Sequence, residues 1–326
     1  MDVIINTYGT AVSRDAEGFV IENAEGCQRI PAEGLKSIQI CRGAQISSDA
    51  VMLAIAKEIE VLFVGKGGDV FGRVWSPNYG SISTIRKGQL NFSLSRQALI
   101  WIKEVLRKKI ENQQALMLMM ETSGGAVRSK VDSSIHRLEE YRRKIGEVDG
   151  ESVGDVASTL RGWEGLASKI YFETLNLFLP EEYRFANRSQ HPALDVVNAL
   201  LNYGYGMLYG KIEGALIKTG IDPYIGVLHR DEYNRPVLVY DVIEIYRVWV
   251  DYVVYSLVMQ RAITEECYSF QPDGSCWLEA LGRRILIQSV NDYLSEVIEQ
   301  NDLQRSRGYQ MFLYAQNLAQ QFKNME

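Results

Sequence analysis

The chain has 326 residues, of which 46% are hydrophobic and 23% are charged. This length and composition indicate a folded protein with room for two domains and argue against a disordered or low-complexity chain. The 35 Lys and Arg residues stand against 41 Asp and Glu residues, which gives a net charge of −6. A uniformly basic surface is therefore excluded, although a local basic groove is not.

The sequence also indicates the cellular compartment in which the protein is expected to be found. No signal peptide opens the chain, and the most apolar run, VWVDYVVYSLVM, is interrupted by Asp251 before it is long enough to span a membrane. We therefore expect a cytoplasmic protein without a membrane partner. The four cysteines lack the close pairing of a zinc ribbon and are expected to be reduced thiols: Cys27, Cys41, Cys267 and Cys276.

Residues 1–76 are predicted to form a small β-rich domain. Five segments alternate or run apolar between glycine-bearing turns: VIINTYG, EGFVIENAEG, QRIPAEG, SIQICRG and IEVLFVGKGG. One helix interrupts them, because Ser47 or Ser48 can cap the segment SDAVMLAIAKE. Pro77 and Gly80 then indicate a linker over residues 77–90.

Residues 91–326 are predicted to form a larger all-α domain, because apolar residues recur there at helical spacing. The fold class is therefore α+β with two domains. Residues 101–144 hold ten Lys and Arg against six Asp and Glu, and four arginines near the end add positive charge: Arg283, Arg284, Arg305 and Arg307. A solvated surface is the ordinary explanation for such residues, and contact with a DNA backbone is the alternative.

The residues that suggest chemistry lie mainly between positions 220 and 247. A turn containing Pro223 places His229 on a connection, and a new helix then carries Asp241 and Glu244, three residues apart. On a helix this spacing puts two carboxylates on one face, where they can point at one cation or one proton. A buried histidine beside a solvated acid pair remains the simpler explanation from spacing alone.

A third acid, Glu164, lies in the helical segment RGWEGLASKIYFETL. Gly162 and Gly165 flank it. Glycine inside a helix costs roughly 1 kcal/mol against alanine, so this pair suggests that another group approaches the helix backbone closely.

These segments resemble the CRISPR-associated protein one family, the metal-dependent endonuclease and integrase that inserts new spacers into CRISPR arrays. The resemblance rests on RGWEG around Glu164, DPYIGVLH ending at His229, LVYDVIEIYR with Asp241 and Glu244, and NALLNYGY at 198–205. It extends over nearly the whole chain through KIENQ at 109–113 and ISSDAVMLAIAKEIEVLFVGKGGDVFGRV near the amino terminus.

The resemblance implies that Glu164, His229 and Glu244 bind a divalent metal ion, with Asp241 as a further catalytic residue beside them. Some members of the family have aspartate in place of Glu244, which leaves the charge unchanged. One imidazole with carboxylates and no thiolate suits Mg²⁺ or Mn²⁺ better than structural zinc. DNA-contacting or supporting roles are expected for four further residues: Arg161, Tyr209, Lys211 and Arg230.

The family's reaction implies both a mechanism and partners. The 3′-hydroxyl of a prespacer DNA attacks a strand at the edge of the CRISPR repeat and is joined to it by transesterification, and hydrolytic nicking uses the same centre. The implied partners are prespacer and repeat DNA, a second copy of the chain in an asymmetric homodimer formed by the β-rich domain, and CRISPR-associated protein two as a bridge. Two alternatives stay open: a metal-dependent nuclease or phosphohydrolase without integration, and an inactive DNA-binding scaffold.

Overall fold

The structure is a computed structural model, and it describes residues 2–65, 70–74, 83–120, 126–229, 235–300 and 303–325. The chain divides into two compact units, Met1–Ser81 and Ile82–Glu326. Within the described ranges, no helix combines the length and the apolar character needed to cross a membrane.

The first unit is built from strands and one helix. Its described elements are β1 (Asp2–Ile5), β2 (Ala11–Arg14), β3 (Gly18–Asn23), β4 (Gly26–Pro31), β5 (Ser37–Cys41), β6 (Gln45–Ile46), α1 (Ser48–Ala56), β7 (Glu60–Val64) and β8 (Val70–Arg73). One sheet has the order β1-β5-β7-β8, in which the first three strands are parallel and β8 is antiparallel to β7. The other has the order β4-β3-β2-β6, and only its β2–β6 pair is parallel. The β-rich character of the amino-terminal part is thus confirmed.

The single helix of this unit begins where the sequence predicted. The Ser47 side chain accepts a hydrogen bond from the Ala50 backbone N–H at 3.2 Å, which satisfies one of the unpaired donors of the first turn. Ala50 and Ala54 are fully buried, so this helix packs by its small side chains. Strands β2, β6 and β8 were not predicted, because they are short and depend on partners elsewhere in the sheets.

The second unit is mainly helical. Its described helices are α2 (Ser83–Ser93), α3 (Arg96–Met119), α4 (Ala126–Glu147), α5 (Val153–Phe178), α6 (Val196–Lys218), α7 (Val237–Ile243), α8 (Arg247–Met259), α9 (Ala280–Ser295) and α10 (Arg307–Lys323). Helix α6 is buried around most of its circumference and packs against α7, α8, α9 and α10. It is therefore the central helix, which explains why its sequence is apolar on all sides.

Two small hairpins modify the predicted all-α domain. They are β9 (Tyr268–Phe270) with β10 (Cys276–Leu278), and β11 (Val297–Gln300) with β12 (Leu303–Ser306). A turn over Pro272, Asp273 and Gly274 closes the first hairpin, with Gly274 at a φ of 81°. The strand segments are only three or four residues long, too short for a period-two pattern to be recognised.

Residues 83–90 of the predicted linker form most of helix α2. This helix packs against α10, more than 200 residues later, and a Cβ atom on Gly88 would collide with the Phe322 carbonyl oxygen. Pro77 and Gly80, which suggested the linker, lie outside the described residues, and it is Gly88 that permits the close helix contact.

Candidate active site

Glu164 lies near the middle of α5, on a half-buried face of the helix. Its Oε1 atom accepts a hydrogen bond from the Ser168 hydroxyl, one turn later, at 2.8 Å and also contacts the ammonium of Lys109. The carboxylate side chain keeps 27% of its surface exposed. Glu164 is therefore fixed on one oxygen while the side chain remains open to solvent.

The two glycines beside Glu164 face open space. A Cβ atom added at Gly162 or Gly165 would meet no described atom of the chain within 4 Å, and both positions are exposed. The close approach expected from the sequence is therefore not made by any described part of this chain, and the helix surface next to Glu164 is accessible from outside.

His229 is held on a loop that α2 and α7 position. The Gln89 side chain, 1% exposed, donates to the carbonyls of Asp222 and Ile225 at 2.7 and 3.0 Å and accepts from the Asp222 N–H. Gly226 lets the loop turn tightly, because a Cβ atom there would collide with the His229 carbonyl oxygen. Gln89, which the sequence assigned to the linker, thus secures the histidine loop.

Asp241 is the residue around which this loop is wrapped. It is completely buried, and its two carboxylate oxygens accept hydrogen bonds from the backbone N–H groups of Val227, Leu228 and His229 at 2.7 to 3.1 Å. Its Oδ1 atom also lies 2.7 Å from Nδ1 of the His229 ring. Successive N–H groups converging on a carboxylate form an anion-binding nest. Asp241 therefore fixes both the loop and the imidazole.

Glu244 lies at a break between α7 and α8, where a single continuous helix was predicted. The Asn112 side chain, from α3, donates to the Ile245 carbonyl at 2.8 Å and so satisfies a group freed by the break. Glu244 is 7% exposed; its Oε1 accepts from Arg247 Nε at 2.8 Å, and its Oε2 lies 2.5 Å from the Lys109 ammonium. Asp241 and Glu244 therefore contact different partners rather than one shared group.

Lys109 joins the two glutamates that the sequence placed 80 residues apart. Its ammonium, 7% exposed, contacts both Glu164 and Glu244. Burial would lower the pKa of Lys109, but the two carboxylates outweigh burial and raise the pKa above its ordinary value. Burial opposes ionisation of Glu244, yet Arg247 and Lys109 lower its pKa to about 2. Lys109 and Glu244 are therefore both charged at neutral pH.

The imidazole is affected by the same charges. Burial would lower the pKa of His229, but the hydrogen bond and charge of Asp241, together with the charges of Glu244 and Glu164, raise the pKa above its ordinary value. In the neutral His229 ring, Nδ1 carries the hydrogen and donates it to Asp241, so Nε2 is the nitrogen that can accept. This tautomer presents one nitrogen lone pair on the side away from Asp241.

A buried network continues behind Glu244. Arg247 donates to the Tyr209 hydroxyl at 3.1 Å and lies 4.8 Å from the centroid of the Tyr205 ring. The Tyr205 and Tyr171 hydroxyls donate to Asp251 at 2.5 and 2.9 Å, and Asp251 is 2% exposed. Burial raises the pKa of Asp251 to about 6, although the two tyrosine hydroxyls oppose the shift.

The residues predicted to contact DNA or support the site differ in their burial and in their partners. Tyr209 belongs to the network through Arg247, Lys211 is half-buried on α6, and Arg161 is exposed on α5 one turn before Glu164. Arg230 lies outside the described residues. Three of the four carboxy-terminal arginines have partners within the chain: Arg283 donates to the Leu278 carbonyl, Arg305 donates to the Gln304 carbonyl, and Arg307 contacts Glu296.

The donor set fits a divalent ion, although one cation already lies between the acids. Among the described residues, no three His, Cys, Asp or Glu side chains are arranged as a metal-binding cluster. Instead, the Lys109 ammonium contacts Glu164 and Glu244 as a metal cation would, and His229 offers a nitrogen close enough to be influenced by both charges. Two carboxylates and an imidazole are ligands that Mg²⁺ or Mn²⁺ accepts.

Sequence reasoning missed three of these residues: Lys109, Arg247 and Asp251. The signal for Lys109 was present in KIENQ, because Lys109 and Asn112 are one helical turn apart and both contact the break region at Glu244 and Ile245. Arg247 stands one turn after Glu244, and Asp251 was noted only as an interruption of an apolar run. A charged residue inside such a run is itself a sign of a buried polar network.

Comparison with known proteins places the chain in a family. The family model described as "CRISPR associated protein Cas1" matches residues 3–292. The protein named "CRISPR-associated endonuclease Cas1 1" from Archaeoglobus fulgidus is 32% identical over 307 residues, which cover 90% of this chain and 88% of that protein.

Two solved structures have the same fold. "Casposase bound to integration product" matches with a TM-score of 0.83 at 20% identity, over 100% of this chain and 91% of that one. "Cas6-RT-Cas1--Cas2 complex" matches with the same score and identity over 100% of this chain, which spans only 35% of that polypeptide. At this identity the likeness establishes the fold, and the family model with the Archaeoglobus relative establishes that this chain belongs to the CRISPR-associated protein Cas1 family.

Proposed function

We propose that this protein is a metal-dependent DNA endonuclease and integrase of CRISPR adaptation, which joins 3′-hydroxyl ends of prespacer DNA to the CRISPR repeat by transesterification. The observation that carries the proposal is the convergence of Glu164 and Glu244 on one cation, together with a histidine that interacts with both of their charges and whose ring is fixed by a buried aspartate. The endonuclease name of the Archaeoglobus relative and the integration product in the casposase structure are consistent with it.

In this proposal Glu164, His229 and Glu244 hold one Mg²⁺ or Mn²⁺ ion. Once bound, such an ion polarises a phosphoryl oxygen and stabilises charge on the attacking and leaving oxygens. Asp241 acts through His229: it accepts the Nδ1–H and keeps Nε2 directed away as a ligand. Arg247 holds one oxygen of Glu244 at 2.8 Å and so limits the rotation of that carboxylate.

DNA is proposed to approach across the open face of α5. Arg161 is exposed there, and the absence of side chains at Gly162 and Gly165 leaves room for a sugar-phosphate backbone next to Glu164. Lys211 and Arg230 are further proposed DNA contacts, and Tyr209 supports Glu244 through Arg247.

A basic row on α4 supports a wider DNA surface. Lys130, Arg137 and Lys144 follow one another at intervals of seven residues, which places them along one side of this helix. Lys130 and Arg137 are exposed. Each phosphate that such a row neutralises contributes roughly −0.9 to the log-log slope of affinity against salt, so DNA binding should weaken steeply as salt rises.

The proposed partners are a second copy of the chain and CRISPR-associated protein two. In the first unit Phe71 is 82% exposed and Phe63 is 40% exposed, on the neighbouring strands β8 and β7. Exposed aromatic side chains on the edge strand and its neighbour support association of two β-rich units. One of the matched structures is named as a complex containing Cas2, which supports the bridging partner.

The proposal is tested by a strand-transfer assay. Labelled short duplexes with 3′-hydroxyl or 3′-deoxy ends are incubated with a supercoiled plasmid carrying a CRISPR repeat, in Mg²⁺, Mn²⁺ or EDTA. Wild-type protein should give joined products only with 3′-hydroxyl ends and only with metal. Glu164→Gln should abolish joining, whereas Glu173→Gln, an exposed glutamate on the same helix, should not.

Each alternative has its own outcome. Metal-dependent nicking without joined product, under conditions that include the bridging partner, would indicate a nuclease or phosphohydrolase with no integration role. Joining or nicking that survives Glu164→Gln, or that persists in EDTA, would overturn the proposed centre. DNA binding with neither activity would indicate a scaffold.

A further inference from the structure

The Lys109 ammonium contacts one carboxylate oxygen of each glutamate that is proposed to bind the metal ion. On Glu244, Oε2 lies 2.5 Å from the ammonium and Oε1 is held by Arg247, so both oxygens already face a cation. On Glu164, Oε1 contacts the Lys109 ammonium and accepts a hydrogen bond from the Ser168 hydroxyl. A divalent ion that binds Oε1 of Glu164 or Oε2 of Glu244 therefore competes with this lysine.

The two basic side chains beside Glu244 differ in how firmly they are held. Arg247 is fixed on several sides, because it donates to Tyr209 and its guanidinium lies over the Tyr205 ring at 4.8 Å. The described contacts of the Lys109 ammonium are with the two carboxylates. Lysine is also a point charge on a flexible four-carbon stem, whereas the arginine fork is rigid and planar. Of the two cations, Lys109 is therefore the one that can move away from Glu244 more easily.

We propose that Lys109 is a built-in counter-cation, which holds Glu164 and Glu244 together in the metal-free protein and withdraws from them when a divalent ion binds. This inference rests on the proposed function, because it assumes that the same glutamates bind the metal. In the metal-free protein the ammonium offsets the repulsion between the two carboxylates and keeps them near each other. When the ion enters, the ammonium is a like charge beside it and is expelled by repulsion.

The first experiment measures metal binding directly. Mn²⁺ binding to Lys109→Met is followed by the electron paramagnetic resonance signal of free Mn²⁺, with thermal unfolding recorded in EDTA and in Mn²⁺. The matched control is Lys108→Met, which removes an exposed ammonium paired with Glu111 on the same helix. Lys109→Met should bind Mn²⁺ about tenfold or more tightly than wild type, since a competing like charge is gone. Its metal-free form should melt several degrees lower, a loss that Mn²⁺ reverses.

The second experiment uses the wild-type protein, so it does not depend on the folding of a variant. Lysine acetylation by a water-soluble reagent is mapped by mass spectrometry in EDTA and in saturating Mg²⁺. Lys109, 7% exposed with its partners in place, should be protected in EDTA and become labelled severalfold more in Mg²⁺. The labelling of Lys108 should not change between the two conditions.

The outcomes separate this inference from the function on which it rests. If wild type binds Mn²⁺ but Lys109→Met binds it equally or more weakly, or if Lys109 stays protected in saturating Mg²⁺, then the lysine supports the ligands instead of competing for them and the inference is wrong. If neither protein binds Mn²⁺, then the proposed metal centre itself fails.

Discussion

Replacement of Asp251 by asparagine should change how the stability of the helical unit depends on pH. Burial raises the pKa of Asp251 from 3.8 to about 6, so the folded protein takes up this proton more readily than the unfolded chain. The stability contributed by a raised pKa is fully present below pH 3.8 and is lost as pH rises through 6. The shift of about two pH units corresponds to about 3 kcal/mol. Asp251→Asn should therefore be more stable than wild type at pH 7.5, and the advantage should shrink towards pH 4.

The measurement is urea unfolding followed by tryptophan fluorescence at several pH values between 4 and 7.5. The probe reports mainly on the helical unit, which contains Trp101, Trp163, Trp249 and Trp277. The control is Asp292→Asn, which removes an exposed aspartate in the same unit. An Asp251→Asn variant with the same pH slope as wild type, or one destabilised at pH 7.5, would refute the reasoning and would show that the ionised carboxylate stabilises the tyrosine pair.

Three further predictions concern the site and the interface. Gly162→Ala should stabilise the protein by about 1 kcal/mol in thermal unfolding, because alanine suits an open helix position. The same variant should reduce strand transfer, and unchanged activity would show that DNA does not bind this face of α5. Asp241→Asn should weaken Mn²⁺ binding by about 10- to 100-fold through loss of the His229 orientation, and unaltered binding would contradict that role. Phe71→Ser should give a monomer in light scattering with an unchanged circular dichroism spectrum, whereas a retained dimer would place the interface elsewhere.

The sequence predicted the features that local rules determine. The cap of α1 at Ser47 and the helical character of residues 91–326 both follow from residues within a few positions of one another. The α+β class followed from the change of hydrophobic period along the chain.

The features that were not predicted depend on contacts distant in sequence. Helix α2 looked like a linker because its partner, α10, lies at the other end of the chain, and Gln89 reaches a loop 133 positions later. The break at Glu244 interrupts a regular apolar pattern, and the break is supported by Asn112 on another helix. Neither a local pattern nor a propensity could indicate these, because each requires the packing of whole helices.

The buried charges around Glu244 are better explained by chemistry than by stability. A buried ion pair usually gains little over well-packed apolar residues of the same volume, since the cost of removing both charges from water offsets their attraction. Lys109, Glu244 and Arg247 are nevertheless all withdrawn from solvent, with side-chain exposures of 7%, 7% and 20%. In other proteins, apolar side chains of similar volume often replace such a pair without loss of stability. The carboxylate of Glu244 lies between Arg247, which is held by tyrosines, and Lys109, which is on a flexible stem. Such a polar centre is what the proposed metal-dependent reaction and the proposed exchange of Lys109 for a divalent ion both require.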